Sequence, residues 1–253
     1  MDTLTIGKFE IPLYGIFFYL GIVIAVLVAW RLCKRASIEG FDLVASAIYV
    51  FIGAIAGAKL LFLAVSWKTI LELQLPLEAI LKGGFVFYGG FLGGMAGLAI
   101  YTRQYRLPTA RFFDLYAVVV PLGHAFGRIG CFFAGCCYGI PYDGIFCYTY
   151  HTSAGNVPLG VPLLPVQLME AALLMVLFVV LLILYLRQNS RVRTSFVYLA
   201  AYPVIRFTLE FFRGDAERGS FAGLSLSQWI SLGILLFALL ALLRTRTKKQ
   251  KEN

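Results

Sequence analysis

Seven stretches of predominantly apolar residues follow one another along this chain. They run roughly over residues 12–32, 43–66, 85–102, 112–134, 167–186, 195–213 and 224–243. About 20 apolar residues is the length that an α-helix needs to cross the hydrocarbon core of a bilayer. Only 14% of the residues are charged, against roughly a quarter in a typical soluble domain. The sequence therefore predicts an all-α polytopic membrane protein with seven transmembrane helices.

Lysine and arginine predict the orientation of these spans, because cytoplasmic loops carry an excess of both. Fourteen lie on one side, namely Arg31, Lys34, Arg35, Arg103, Arg106, Arg111, Arg187, Arg191, Arg193, Arg244, Arg246, Lys248, Lys249 and Lys251. Five lie on the other, namely Lys8, Lys68, Lys82, Arg213 and Arg218. We therefore expect the N-terminus outside and the C-terminus in the cytoplasm.

The same distribution accounts for the net charge of +9. The excess marks topology, and the basic tail 244–253 is suited to anionic lipid, so a nucleic-acid role is not expected. The N-terminal residues lack the basic region of a signal peptide, and the first apolar stretch is expected to remain as a span. No linker or low-complexity tract interrupts the chain, which predicts a single membrane domain over 1–253.

Charged residues inside the predicted spans are the first indication of function. A charge at the bilayer centre costs about 3 kcal/mol on insertion scales. Lys59, Arg128 and Arg206 nevertheless occur there, with Glu170 and Glu210 as the acids. One interpretation is internal pairing, since Arg206 and Glu210 are four residues apart. The other is that the excess of cations binds an anionic ligand such as a phospholipid phosphate, which arginine can grip with two parallel hydrogen bonds.

His124 precedes Arg128 by one helical turn, so both side chains share a helix face. A packing role and a catalytic role are both open for this histidine. Glycines at three- and four-residue spacing in spans two, three and four predict close helix contacts. The pair Gly89 and Gly90 could also present backbone N–H groups to a phosphate.

A loop over about 135–166 is expected outside the membrane, where it lacks lysine and arginine. Four cysteines lie in or near it: Cys131, Cys136, Cys137 and Cys147. A disulfide to Cys147, redox or acyl-carrier use of a thiol, and simple packing all remain open. The spacing does not match standard zinc ligands, and no metal or cofactor is expected.

Several motifs, in order, resemble those of the prolipoprotein diacylglyceryl transferase family. The most specific is GRIGCFFAGCCYG at 127–139, which resembles the family signature. The others are PLYGIFFYLG at 12–21, GAKLLF at 57–62, FYGGFLGG at 87–94, LPVQLME at 164–170 and RFTLEFFRGD at 206–215. The resemblance covers almost the whole chain.

The resemblance implies transfer of a diacylglyceryl group from phosphatidylglycerol to the lipobox cysteine thiol of a prolipoprotein, with release of glycerol phosphate. It implies an enzyme of the bacterial inner membrane whose partners are that lipid and the prolipoprotein signal peptide. The implied catalytic residues are Arg128 and Arg206, with His124 and Tyr88 as further candidates. The implied substrate-binding residues are Tyr14, Lys59, Gly89, Gly90, Gly139, Gln167, Glu170, Glu210 and Arg213.

The chain departs from the family pattern at polar positions. Tyr88 stands where the family has a histidine, and the usual Asn, Asn and Glu of the signature are Cys131, Ala134 and Cys136. Tyrosine, with an ordinary pKa near 10, is a poor base for a thiol. We therefore hypothesise that His124 activates the thiol in place of the missing histidine.

Two other functions remain open. A paralogue could use the same phospholipid with a different acceptor, as the altered signature suggests. A non-catalytic module that binds or transports phospholipid is the other alternative. It would be expected to place paired ionisable groups along several spans.

Overall fold

The computed structural model describes residues 3–6, 9–72, 86–152, 155–187, 193–215 and 220–251, together with residues 76, 78, 80 and 84. Seven long helices form in these residues. They are α1 (Leu13–Cys33), α2 (Gly40–Glu72), α3 (Phe87–Gln104), α4 (Thr109–Phe133), α5 (Val166–Leu186), α6 (Thr194–Glu210) and α7 (Leu226–Lys251). Each coincides with a predicted span to within a few residues, apart from the longer α2 and the extension of α7 into the tail.

Four of these helices are long and apolar enough to cross a membrane: α1, α2, α4 and α5. The apolar part of α7, Leu226–Leu240, is shorter. The prediction of an all-α membrane protein is thus confirmed at the level of helices and of four candidate spans. Among the residues used for orientation, Lys8, Lys82, Arg191 and Arg218 lie outside the described part of the chain, as do residues 252–253 of the tail.

Short antiparallel pairs of strands complete the secondary structure. The strands β1 (Thr3–Ile6) and β2 (Phe9–Pro12) precede α1. The strands β3 (Tyr148–Thr149) and β4 (Pro162–Leu163) pair within the predicted outer loop. The strands β5 (Ser220–Phe221) and β6 (Leu224–Ser225) lie before α7.

The chain forms two compact units, one of Met1–Ala29 and Asp114–Asn253 and the other of Trp30–Phe113. In the second unit, α2 packs along α3 through glycines. A β-carbon on Gly93 would overlap the carbonyl oxygen of Gly53, and one on Gly57 would overlap that of Gly89. The backbones of the two helices are therefore in direct contact, as the small-residue spacing predicted.

In the first unit, α6 packs against both α5 and α7. The residues of α1 in this unit lie along α4, where a β-carbon on Gly21 would come within 2.6 Å of Phe126 Cβ. Nearby, the rings of Phe17 and Phe133 stack with centroids 5.0 Å apart. The charged residues of α4, α5 and α6 that were predicted inside spans all belong to this unit.

The loop after α4 is an ordered segment with a small core of its own. Tyr150, Val157 and Leu163 are buried together, with Phe132 and Tyr138 packed against them. The Tyr150 hydroxyl donates a 3.0 Å hydrogen bond to the Phe132 carbonyl oxygen. This bond anchors the loop to the last turn of α4.

We predict that Gly93→Ala destabilises the protein by about 1–3 kcal/mol, because the added methyl group would force α2 and α3 apart. Gly94→Ala is the matched control on the same helix. There the nearest atom to a new β-carbon is Val50 Cγ1 at 3.4 Å, an ordinary contact. The two variants are heated in detergent, and their unfolding is measured as the loss of the monodisperse peak in gel filtration. Equal melting temperatures for both variants would contradict direct backbone contact.

Candidate functional site

A buried carboxylate links three helices at the centre of the first unit. Glu170, in the second turn of α5, is only 1% exposed. Its Oε2 lies 3.1 Å from Arg128 Nε on α4 and 3.6 Å from Arg206 Nη1 on α6. One carboxylate therefore faces two guanidinium groups that belong to different helices.

Arg206 has further partners on the side away from Glu170. Its Nη2 lies 2.6 Å from Glu210 Oε2, one turn later on the same helix, and 3.4 Å from Ser227 Oγ on α7. Glu210 is itself nearly buried, with 7% of its side chain exposed. Both ends of the Arg206 guanidinium are thus occupied by protein groups.

Arg128 is engaged less completely. Its Nε faces Glu170, and its side chain is 11% exposed. Within the described residues, its two terminal nitrogens have no hydrogen-bond partner in the protein. These two nitrogens are the donors of this cluster that a ligand could use.

These contacts change the charge argument made from the sequence. The two arginines and the two glutamates balance one another, so this cluster holds no excess cation when His124 is neutral. Lys59 belongs to the other unit, where its ammonium donates a 2.5 Å hydrogen bond to the Ile80 carbonyl oxygen. An anionic ligand in the first unit would therefore bind through the geometry of Arg128 and not because of an excess of cations.

His124 shares the carboxylate with the arginines. Its Nε2 lies 3.8 Å from Glu170 Oε1, and 11% of its side chain is exposed. Its ring meets that of Tyr202 edge to face, with centroids 5.4 Å apart. The imidazole is therefore held between a carboxylate and an aromatic ring, one turn before Arg128.

The start of α5 supplies a second buried polar group. Gln167 precedes Glu170 by three residues, so the two side chains lie on one helix face. The Gln167 side chain donates a 2.8 Å hydrogen bond from Nε2 to the carbonyl oxygen of Cys136. Its Oε1 is buried and has no hydrogen-bond partner within the described residues, so it remains available as an acceptor.

Gly139 and Arg213 meet although they are far apart in the sequence. They form an isolated antiparallel bridge, with Ile140 N–H donating to the Phe212 carbonyl oxygen over 3.0 Å. A β-carbon on Gly139 would overlap the Leu164 carbonyl oxygen, so only glycine fits this crossing. Arg213 then forms two hydrogen bonds with Asp215, of 2.9 and 2.7 Å.

Tyr14 lies in the first turn of α1, beside the end of α4. The backbone at Tyr14 is close enough that a β-carbon on Gly130 would come within 3.1 Å of its carbonyl oxygen. Tyr14 as a whole residue is 41% exposed.

Four other predicted site residues belong to the second unit. Tyr88 is buried in the first turn of α3, at 5% exposure, and Gly89 follows in its contact with Gly57. Gly90 has ordinary contacts with α2, the nearest being the Ala54 carbonyl oxygen at 3.4 Å. Lys59 Nζ also lies 5.0 Å from the centroid of the Phe62 ring.

Comparison with known proteins agrees with the motifs. The family model described as prolipoprotein diacylglyceryl transferase matches residues 2–244. The chain belongs to the prolipoprotein diacylglyceryl transferase family.

Named relatives cover nearly the whole chain. The phosphatidylglycerol–prolipoprotein diacylglyceryl transferase 2 of Clostridium perfringens is 32% identical over 242 residues, 94% of this chain and 93% of the relative. The phosphatidylglycerol–prolipoprotein diacylglyceryl transferase of Clostridium tetani is 33% identical over 241 residues, 94% of each chain. That of Geobacter sulfurreducens is 33% identical over 256 residues, 96% of this chain and 94% of the relative.

This member of the diacylglyceryl transferase family contains polar partners that sequence reasoning missed. Asp215 ends the motif that contains Arg213, so its two-residue spacing was a usable signal. Tyr202 precedes Arg206 by four residues on α6, so its spacing from a motif arginine was also a usable signal. Ser227 lies on another helix and gave no local signal. The pairing of Glu170 with both arginines also gave none, since it joins three separate helices.

We predict that Glu170→Gln costs about 3–5 kcal/mol of stability, because it leaves two buried arginines without their shared carboxylate. Arg193→Gln is the control, since it breaks an ion pair with Asp114 in which 48% of the arginine side chain is exposed. Such a pair contributes about 1 kcal/mol or less. Thermal unfolding of both variants in the same detergent measures the difference. A Glu170→Gln protein as stable as the control would show that the arginines have other partners.

Proposed function

We propose that this chain transfers a diacylglyceryl group from phosphatidylglycerol to the thiol of a lipobox cysteine in a prolipoprotein. In this reaction a sulfur–carbon bond forms at the lipid glycerol, and the carbon–oxygen bond to the phosphate breaks. Glycerol phosphate leaves with the bonding electrons, and the thiol proton passes to a base. The names of the relatives, each a phosphatidylglycerol–prolipoprotein diacylglyceryl transferase, support the proposal.

The observation that carries the proposal is the arrangement of Arg128 beside Glu170. A guanidinium held by its Nε, with its terminal nitrogens available, is oriented to bind two oxygens of a phosphate. In a site shielded from water, such a group stabilises the negative charge that develops on the leaving phosphate. We assign Arg128 to the lipid phosphate.

Arg206 has a supporting role in this scheme. Its contacts with Glu170, Glu210 and Ser227 fix the position of the carboxylate that orients Arg128. It adds positive potential to the site, although its own hydrogen-bonding groups face the protein. We therefore treat Glu170 and Glu210 as residues that hold the arginines in place.

His124 is our candidate for the base that activates the acceptor thiol. A thiolate is the attacking form of cysteine, and a histidine exchanges protons near neutral pH. Glu170 Oε1 lies 3.8 Å from Nε2 and can orient the imidazole. Tyr88 stands at the family's histidine position and serves as a hydroxyl that orients substrate.

The remaining candidates are assigned to substrate binding. Three places in the first unit offer hydrogen-bonding groups: the hydroxyl of Tyr14, a residue that is 41% exposed, the buried Oε1 of Gln167, and the backbone around Gly139 and Arg213. Lys59, Gly89 and Gly90 are proposed for the same purpose in the second. The family match runs through both units, which supports one transferase-like domain over 1–253.

We propose that the chain lies in the bacterial cytoplasmic membrane with seven spans, the N-terminus outside and the C-terminus inside. Four apolar helices and the bias of lysine and arginine between loops support this topology. The proposed partners are phosphatidylglycerol and the signal peptide of the prolipoprotein. Both substrates would then meet on the side where the thiol emerges from the membrane.

A second candidate function is transfer to a different acceptor. It is favoured by Tyr88, Cys131, Ala134 and Cys136, which replace the polar residues of the family pattern. The phosphate-binding arginines would serve such a paralogue equally well. A module that binds phospholipid without catalysis is the third alternative.

We predict that the purified protein in detergent forms both the thioether and glycerol phosphate from phosphatidylglycerol and a lipobox peptide. Arg128→Lys should lower both products by about 100-fold, because it keeps the charge but loses the planar fork. Arg193→Ala, outside the site, is the activity control. Glycerol phosphate without thioether would mean another acceptor. Bound phosphatidylglycerol with neither product would mean a binding module.

We also predict that His124→Gln lowers the rate of transfer by about 100-fold or more, the usual contribution of a general base. Binding of phosphatidylglycerol should be unchanged, since glutamine keeps the polarity and approximate size of the side chain. Single-turnover transfer and lipid binding, measured on the same preparation, separate the two effects. Full transfer activity in His124→Gln would exclude this histidine as the base.

A further inference from the structure

Three cysteine sulfurs lie together at the end of α4. The Sγ atoms of Cys131, Cys136 and Cys137 are all within 4.8 Å of one another. All five cysteines of the chain are in the described residues, and none forms a disulfide. The bridge to Cys147 considered from the sequence is therefore absent, and Cys147 is exposed instead.

The backbone brings these sulfurs together through a tight reversal. Cys131 lies in the last turn of α4, and Gly135 then adopts a left-handed conformation with φ of 60°. Cys137 has a φ of 58°, which is uncommon for a residue with a side chain and persists only where neighbouring contacts impose it. As a result, two consecutive cysteines place their sulfurs near that of Cys131.

Independent hydrogen bonds hold this reversal in place. The amide of Cys136 donates a 3.2 Å hydrogen bond to the Cys131 carbonyl oxygen. The Gln167 side chain, from α5, donates to the Cys136 carbonyl oxygen over 2.8 Å. The sulfurs are therefore positioned by a rigid helix end and by a neighbouring helix, as a ligand set requires.

We propose that Cys131, Cys136 and Cys137 form a trithiolate site for a thiophilic metal ion of the Zn²⁺ or Cu⁺ class. Metal–sulfur bonds of about 2.3 Å separate three sulfurs around one ion by about 4 Å, so the observed cluster needs only a small contraction. Thiolates select such soft ions over Mg²⁺ or Ca²⁺. Arg128 and Arg213 act electrostatically on Cys137 and would offset the negative charge of three thiolates.

A bound ion would join the last turn of α4 to the segment that leads to Gly139. It would also place a complex of net negative charge, one for Zn²⁺ or two for Cu⁺, near Arg128. The site goes beyond the proposed transfer reaction and does not depend on it. Metal binding and transfer are therefore measured separately.

The test uses the full chain in detergent, reduced and then freed of reductant under nitrogen. Titration with Co²⁺, as a spectroscopic substitute for Zn²⁺, should give thiolate-to-metal charge-transfer absorption at about one ion per chain. A parallel competition with a Cu⁺ chelator measures Cu⁺. Tighter binding in one titration identifies the preferred ion.

Cys131→Ser and Cys137→Ser should each weaken binding by roughly 100-fold or more, since loss of even an outer-sphere partner costs 10–100-fold. Cys147→Ser, which leaves the cluster intact, should bind as the unaltered protein does. Gel filtration of each variant checks that it is folded. Equal binding by all three variants would contradict the proposal.

A second measurement needs no substitution. Alkylation of the unaltered protein by N-ethylmaleimide, read by mass spectrometry, should be blocked by Zn²⁺ or Cu⁺ at the three clustered cysteines but not at Cys147. Absence of protection and of charge-transfer absorption would overturn the proposal. A disulfide within the cluster that forms in air and resists metal would also overturn it, in favour of a redox site.

Discussion

The structure of the first unit depends on one buried carboxylate placed between two arginines. A lone charge there would be costly, and an arginine deprived of its partner costs several kcal/mol. Glu170 meets this requirement for Arg128 and Arg206 together, and so fixes α4, α5 and α6 relative to one another. Any ligand that approaches Arg128 meets a group already oriented by this pairing.

The same pairing gives different roles to Arg128 and Arg206, which the sequence motifs alone do not distinguish. Arg206 is enclosed by Glu170, Glu210 and Ser227, whereas Arg128, within the described part of the chain, forms its ion pair through Nε. In a buried site, a preoriented donor need not reorganise when charge develops on a substrate. The cluster thus combines Arg206, which positions the shared carboxylate, with Arg128, which is available to a ligand. The charges of its arginines and glutamates balance.

The sequence was sufficient to predict features that depend on residues close to one another in the chain. Apolar length located the seven long helices of the described residues, glycine spacing predicted close helix contacts such as that of α2 with α3, and the four-residue interval made the pair of Arg206 with Glu210 one of two interpretations. It was insufficient where residues distant in the chain meet. The pairing of Glu170 with both arginines, and the bridge of Gly139 to Arg213, depend on how helices and loops cross. The cysteine cluster depends on left-handed backbone at Gly135 and Cys137, which no cysteine spacing reveals.

The glycine contact between α2 and α3 also bears on how the protein is assembled. The two helices are close in the chain, and both belong to the unit Trp30–Phe113. Contacts that are close in sequence form quickly, since little chain must be ordered to make them. In lipid, such an interface is stabilised by direct van der Waals contact between backbones. We therefore expect this helical hairpin to pair during synthesis, before α5 and its glutamate have emerged from the ribosome.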